Sequence, residues 1–396
     1  MVKQEGTRMS HLKRVIELNL PPNRSTFFWG PRQTGKSTLL RERFPDSLSF
    51  DLLRTDLAFD LLRDPALFRQ RVLAASEDRL RLPIVVDEVQ KVPGLLDEVH
   101  WLIENRGLSF ILSGSSARSL RRGNVNLLGG RAWRAELFPL VSEELPDWDL
   151  LRMLNRGLLP AHYLTAGYRK SLLAYVRDYL REEVFAEGLV RSVPAFSRFF
   201  DALAYSHGEL TNYSNIARDA GVDSKTVKEY FQILVDTLLG RFVEPYKRRT
   251  DRRALSRTPK FYLFDVGVAG ALTKRKIEEP RGEQFGRALE HLVFMELVAH
   301  SSYSEQEYPV RYWRTKSGQE VDFVLGEGDV AVEVKGTDRL STRDLRGTTS
   351  FVSEYRPKHA LVVCLETEER VHEGIRVVPV RQFLEKLWQG EWTSGL

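Results

Sequence analysis

Phe27-Phe28-Trp29-Gly30-Pro31-Arg32-Gln33-Thr34-Gly35-Lys36-Ser37-Thr38 is the stretch that decides the fold. It reads G-x-x-x-x-G-K-S between an apolar run and Leu39-Leu40, which predicts a strand, a glycine-bounded loop and a helix start. Gly30 and Gly35 let the backbone turn its N–H groups inward around a phosphate chain. The helix that follows aims its positive end at the same charge. Gly30, Pro31, Arg32, Gln33, Thr34, Gly35, Lys36, Ser37 and Thr38 are therefore candidate nucleotide contacts. Lys36 is expected on the β- and γ-phosphates and the Ser37 hydroxyl on Mg²⁺, so ATP and Mg²⁺ are the expected cofactors.

Working outward, Leu82-Pro83-Ile84-Val85-Val86-Asp87-Glu88 is an apolar run ending in two carboxylates. Such a run suits a strand buried on both faces of a parallel sheet, with ligands at its C-terminal edge. Asp87 is expected on the metal shell and Glu88 on the attacking water. Leu108-Ser109-Phe110-Ile111-Leu112-Ser113-Gly114-Ser115-Ser116 repeats the pattern with hydroxyls, which makes Ser113 and Ser115 candidates for the γ-phosphate or the water. Gly129-Gly130-Arg131 follows, and Arg131, with Arg134 second, is the candidate for a finger reaching a neighbouring subunit's nucleotide. Ser47–Leu52 reads as a second strand and Glu136–Leu140 as a fifth. Helical spacing runs from about Asp56 to Ser76, and residues 1–24 read as polar with a short helix beside the loop.

The order of phosphate loop, Val-Asp-Glu strand, Gly-Ser-Ser strand, Gly-Gly-Arg and Leu-Phe-Pro-Leu resembles the AAA+ core of a bacterial and archaeal ATPase family. Members of that family carry a C-terminal domain long labelled as of unknown function. The resemblance covers nearly the whole chain. It implies an AAA+ core over 1–145, a helical lid with a winged helix-turn-helix over 146–280, and a last domain over 281–396.

In the middle part, Ile216–Val222 reads as a short helix with a glycine turn. Asp223 or Ser224 would cap a second helix through Val227, Tyr230, Phe231 and Leu234. Lys225 and Lys228 lead that helix as candidate DNA contacts, and simple scaffolding is the alternative. Lys247, Arg248, Arg249, Arg252 and Arg253, followed by Arg257 and Lys260, make the strongest basic block of the chain. Phosphate contacts need that density and no particular order; a solvated loop is the alternative.

From about Phe285 the spacing predicts helix, three strands, helix, strand, an order that resembles the PD-(D/E)xK nuclease superfamily. The resemblance picks out Asp322, Glu333 and Lys335, with Glu290 on the first helix; Val321 stands where the superfamily has proline. A four-residue loop at Gly326–Asp329 would pair Leu325 with Val330. That register sets Asp322 opposite Glu333, close enough to share a metal. It also sets Glu320 opposite Lys335, and a simple ion pair between them is the alternative to a metal site.

Composition bounds the class. The 396 residues suggest two or three domains at about 150 residues each. A net charge of +5 is compatible with nucleic acid without requiring it. The single cysteine, Cys364, excludes an internal disulfide and a cysteine-based zinc site and fits a reducing cytosol. No apolar run reaches the roughly 18 residues of a membrane span, and no signal-peptide core is seen at the N-terminus, so a cytoplasmic chain is expected. Together these readings give an α/β protein: an AAA+ P-loop core with a parallel sheet, a winged helix-turn-helix middle module and a restriction-endonuclease-like α/β C-terminal domain. The expected function is ATP hydrolysis that drives movement on, or remodelling of, DNA by a homo-oligomeric ring or spiral, a hexamer among its forms. The rivals are an ATP-gated metal-dependent DNA nuclease and a nucleotide-switched module that binds a protein and no DNA.

Overall fold

The apolar run before Gly30 becomes β1 (Ser25–Trp29), buried along its whole length. The computed structural model describes residues 12–18, 20, 24–116, 132–179, 192–248 and 256–396. After β1 come α1 (Lys36–Arg43), β2 (Ser49–Asp51), α2 (Thr55–Arg63), α3 (Ala66–Leu73), α4 (Glu77–Leu80), β3 (Ile84–Asp87), α5 (Leu95–Arg106), β4 (Phe110–Gly114) and β5 (Ala132–Glu136). The five strands form one sheet in the order β2-β3-β4-β1-β5, and every pairing is parallel. The expected parallel sheet is therefore present. Its order seats β4 between β1 and β3, so three polar strand ends lie side by side at one edge.

Three local expectations need correction. The fifth strand is Ala132–Glu136, not Glu136–Leu140. Leu137 adds one more bond to the Trp29 carbonyl at 2.7 Å, but Pro139 has no N–H to extend a ladder. The short helix expected within 1–24 does not lie in residues 12–18, and residues 1–11, 19 and 21–23 lie outside the described residues. The span 56–76 is two helices, because Pro65 disfavours helical backbone at Asp64, which sits at φ −142°.

The middle part comprises α6 (Leu150–Arg156), α7 (Pro160–Tyr163), α8 (Tyr168–Ala174) running into a π-turn at Tyr175–Tyr179, α9 (Val193–Ser206), α10 (Tyr213–Ala220), α11 (Ser224–Asp236), β6 (Gly240–Val243), β7 (Lys260–Leu263) and α12 (Val266–Leu272). Asp223 caps α11 by accepting from the Thr226 N–H at 2.8 Å, and Gly221 makes the preceding turn at φ +66°. Strands β6 and β7 pair antiparallel, Gly240 opposite Leu263. Phe196, Phe199, Phe231 and Phe261 close this part around one aromatic core.

The last part is α13 (Glu283–Tyr303), β8 (Val310–Arg314), β9 (Glu320–Leu325), β10 (Val330–Val334), α14 (Arg346–Tyr355), β11 (His359–Cys364), β12 (Arg370–His372), β13 (Ile375–Pro379) and α15 (Val380–Trp388). Its sheet runs β12-β13-β11-β10-β9-β8. The meander β8-β9-β10 is antiparallel, and β10, β11 and β13 are parallel neighbours. Leu325 pairs with Val330, the register read from the loop. The β12-β13 hairpin and α15 lie beyond the elements read from the sequence.

The three parts share one apolar core. Phe138 and Leu140 from the sheet exit, Met153 and Tyr262 from the middle, and Phe294, Phe323 and Phe383 from the last part pack in one cluster. Asp265 ties two segments at this junction, capping α12 through the Val268 N–H at 2.8 Å and accepting the Leu158 N–H at 2.6 Å. Gly267 lets α12 approach the Gly157 turn: a Cβ there would come within 2.5 Å of the Arg156 carbonyl carbon. Gly267→Ala should therefore destabilise the protein by about 1–3 kcal/mol through overpacking. Gly286, whose Cβ would meet nothing within 4 Å, is the control, and Gly286→Ala should be neutral or slightly stabilising in urea unfolding.

Candidate functional site

The edge where β1, β3 and β4 end collects two sets of side chains. Beyond β1 the loop turns at Gln33 and Gly35, both left-handed at φ +64° and +96°. Gly30 is required by close approach, since a Cβ would stand 2.6 Å from the Leu137 carbonyl oxygen. Lys36 is buried, and its ammonium donates to the Gly30 and Pro31 carbonyls at 2.6 and 3.1 Å. Thr34 donates to the Pro31 carbonyl at 2.8 Å and locks the turn. Pro31 and Thr34 are buried, Arg32 and Ser37 half-buried, and Gln33 and Thr38 exposed.

Asp87 and Glu88 leave β3 as buried carboxylates. Ser113 donates to Asp87, so this hydroxyl orients the carboxylate. Glu88 sits at φ +59°, a left-handed conformation that costs a non-glycine residue about 1–2 kcal/mol. Gln90, in a 3-10 turn (Val89–Lys91), donates its amide to Glu88 and also to the Ser115 hydroxyl at 3.1 Å. Ser115 thus reaches Glu88 through Gln90. Gly114 makes room for this contact: a Cβ would collide with the Gln90 amide oxygen and meet the Trp29 ring at 2.7 Å.

Two residues at this edge escaped the sequence reading. Gln90 had a signal, its three-residue spacing from Asp87. Arg14 had none. Its guanidinium donates to the Thr34 carbonyl at 2.7 Å, the Phe138 carbonyl at 2.8 Å and Glu144 at 2.8 Å, bracing the phosphate loop against the sheet exit. Arg131 lies outside the described residues; Arg134 is exposed on β5.

A second cluster surrounds the β9-β10 hairpin. Glu333 accepts the Asp322 N–H at 3.3 Å, and Asp322 accepts the Val334 N–H at 2.8 Å, so the two carboxylates are neighbours. Lys335 pairs with Glu333, not with Glu320. Glu320 instead binds Arg314 at 2.8 Å and Lys260 at 2.7 Å. Lys260 also binds Glu290 at 3.2 Å, and the Tyr262 hydroxyl donates to the same carboxylate. Burial, then the charges of Glu333 and Glu290, hold Asp322 well above the usual carboxylate range. Burial also raises Glu333, against the pull of Lys335. Burial opposes the Lys260 charge, but Tyr262, Glu290, Asp322 and Glu320 outweigh it and raise its pKa well above that of an ordinary lysine.

Among the described residues, no group of three or more His, Cys, Asp or Glu side chains could hold a metal ion. Asp322, Glu333 and Glu290 come together around lysines and do not fit a metal centre as they stand. Lys260 belongs to this cluster and not to the basic surface with which its neighbours grouped it: it is 4% exposed. Of the other candidate nucleic-acid residues, Lys225, Lys228 and Lys247 are exposed. Arg248 is exposed but donates to the Tyr246 hydroxyl at 2.8 Å and lies over the Tyr355 ring. Arg249, Arg252 and Arg253 lie outside the described residues.

A glycine loop, paired acids and a hydroxyl strand on one parallel edge define a P-loop nucleotide site. Comparison with known families agrees. Residues 22–145 match the AAA domain, so the chain carries an AAA-type ATPase domain. Residues 147–279 and 285–383 match two domains of unknown function, DUF8612 and DUF4143. An uncharacterized protein of Mycobacterium tuberculosis is 26% identical over 367 residues, covering 90% of this chain and 80% of that protein. One of Haemophilus influenzae is 22% identical over 394 residues, covering 90% and 92%. One of Methanocaldococcus jannaschii is 21% identical over 353 residues, covering 82% and 77%. The solved structure of the Aeropyrum pernix ORC1 protein in complex with DNA matches 65% of this chain and 87% of that one, at 13% identity and a TM-score of 0.26. Among the described residues no helix is long and apolar enough to cross a membrane.

Gln90 holds Glu88 by a hydrogen bond to a charged group. Gln90→Ala should lower ATP turnover about ten- to a hundredfold, the scale of one such bond. Nucleotide affinity should not change, as steady-state kinetics beside a binding titration would show.

Proposed function

We propose that the chain binds ATP with Mg²⁺ at the Gly30–Thr38 loop and hydrolyses it, using the cycle to move on or remodel DNA. The observation that carries the reading is the shared sheet edge: the Lys36 loop, Asp87 with Glu88, and Ser113 with Ser115 follow three adjacent parallel strands. The loop fits a phosphate chain, with a left-handed Gly35 opening an eight-residue helix and a buried ammonium inside the turn. Mg²⁺, when bound, supplies charge neutralisation on the phosphate oxygens. Lys36 binds and orients the β- and γ-phosphates, and Ser37 and Asp87 hold the metal. Glu88 orients the attacking water and takes its proton, with Gln90 fixing the carboxylate. Assembly into a ring or spiral would bring Arg131 to a neighbour's nucleotide.

DNA is the proposed partner because exposed Lys225 and Lys228 lead the capped α11, and the basic run from Lys247 to Arg253 joins β6 to β7. The antiparallel pair β6-β7 after two helices supports a winged-helix reading of this module. The element order of the last part, with Asp322 and Glu333 adjacent, supports kinship with the PD-(D/E)xK fold. The lysine-filled carboxylates favour a module that grips DNA over one that cuts it.

Lys36→Ala should abolish nucleotide binding or turnover, whereas Glu88→Gln should keep binding and lose turnover. Phosphate-release and nucleotide-titration assays separate the two, and normal hydrolysis by Glu88→Gln would remove Glu88 from the mechanism.

Replacing Lys247, Arg248, Arg249, Arg252 and Arg253 with serine should weaken binding to all duplex sequences alike. The log–log salt slope should flatten by about 0.9 for each phosphate that is no longer neutralised. Unchanged affinity and slope would make the block a solvated loop and favour a protein partner.

A further inference from the structure

The carboxylates around the β9-β10 hairpin all belong to the last domain, but one of their cations does not. Lys260 comes from β7, in the middle part of the chain. Its ammonium bridges Glu290 of α13 and Glu320 of β9 at 3.2 and 2.7 Å. Tyr262, two residues along and so on the same face of β7, also donates to Glu290.

The same hairpin continues onto the edge of the C-terminal sheet. Tyr312 of β8 donates its N–H to the Glu244 carbonyl at 3.1 Å, and its carbonyl accepts the Tyr246 N–H at 2.6 Å. The Ser256 N–H donates to the Arg314 carbonyl at 2.9 Å. The segments that leave β6 and lead into β7 are therefore laid along β8, and Lys260 at the start of β7 enters the carboxylates beyond it.

We propose that Lys260 is the resident cation of this cluster, an ionic latch that holds the β6-β7 hairpin on the C-terminal domain and keeps a divalent metal out. The physical reason is charge and space. A buried ammonium paired with Glu290 and Glu320 lies close enough to act electrostatically on Asp322, and Lys335 is paired with Glu333, so positive charge already stands where a metal would have to sit. A divalent ion brought beside it would meet like charge in a poorly solvated site. Cluster and latch are one device: the carboxylates become open to a metal only when β7 lifts Lys260 away. The inference is independent of the ATPase reading, because it concerns metal binding without nucleotide.

The test is a Mn²⁺ titration of the nucleotide-free full chain, followed by electron paramagnetic resonance. Wild type and Asp322→Asn should bind the same number of Mn²⁺ ions. Lys260→Met should gain one site, and Lys260→Met with Asp322→Asn should lose it again. A wild-type site that vanishes in Asp322→Asn overturns the proposal, as does a folded Lys260→Met protein that gains none. Hydrogen exchange supplies a second readout. Amides of Phe261, Tyr262 and Leu263 should exchange at least about tenfold faster in Lys260→Gln than in wild type, with Lys260→Arg in between or unchanged. Equal exchange in Lys260→Gln and wild type would show that Lys260 latches nothing.

Discussion

Parallel strands all end at the same edge of their sheet, and the chemistry of this protein depends on that constraint. A loop that wraps a phosphate needs inward amides, a helix start and a lysine, which follow β1. The proposed water activation and metal holding would need carboxylates, and Asp87 and Glu88 stand at the end of β3. With β4 seated between them, Ser113 reaches Asp87, and Ser115 reaches Glu88 through Gln90. No side chain has to cross the sheet. Arg14 then ties the Thr34 carbonyl to Glu144 at the sheet exit, so the loop is braced against the segment leading to the rest of the chain.

That segment joins the modules by more than apolar packing. Glu296 of α13 accepts the Ser142 N–H at 2.7 Å, the Ser142 hydroxyl at 2.9 Å and the Trp388 indole N–H at 2.7 Å. Burial raises the pKa of this carboxyl to about 7. The chain of hydrogen bonds Thr34–Arg14–Glu144 and the Ser142–Glu296 pair meet within three residues of each other. The C-terminal domain is thus attached beside the nucleotide loop, and the middle part is attached to it through Lys260, while Asp265 ties α12 to the Gly157–Leu158 turn within the middle part.

Much of this was legible in the sequence. The β1, β3 and β4 runs are short, apolar and end in polar residues, so both the strands and the site followed from one pattern. The Leu325–Val330 register followed from a four-residue turn between alternating strands. Leu137–Leu140 misled because a buried linker is as apolar as a strand, and only Pro139 hinted that no ladder continues. Lys260 read as one more surface cation because its neighbours in sequence are basic. Its fate is decided by carboxylates from thirty to more than sixty residues away, which no local pattern carries. Arg14 is similar: its acceptors are a loop carbonyl, the Phe138 and Pro139 carbonyls at the strand exit and a distant glutamate.

The central claim is that the shared strand edge hydrolyses ATP for work on DNA. Multiple-turnover phosphate release by the purified chain, with Mg²⁺, measured without DNA and with single-stranded, duplex and branched DNA, tests it most directly. Sustained release that at least one DNA form accelerates is the predicted result. ATP recovered intact from the protein, or a rate indifferent to every DNA form, would contradict it.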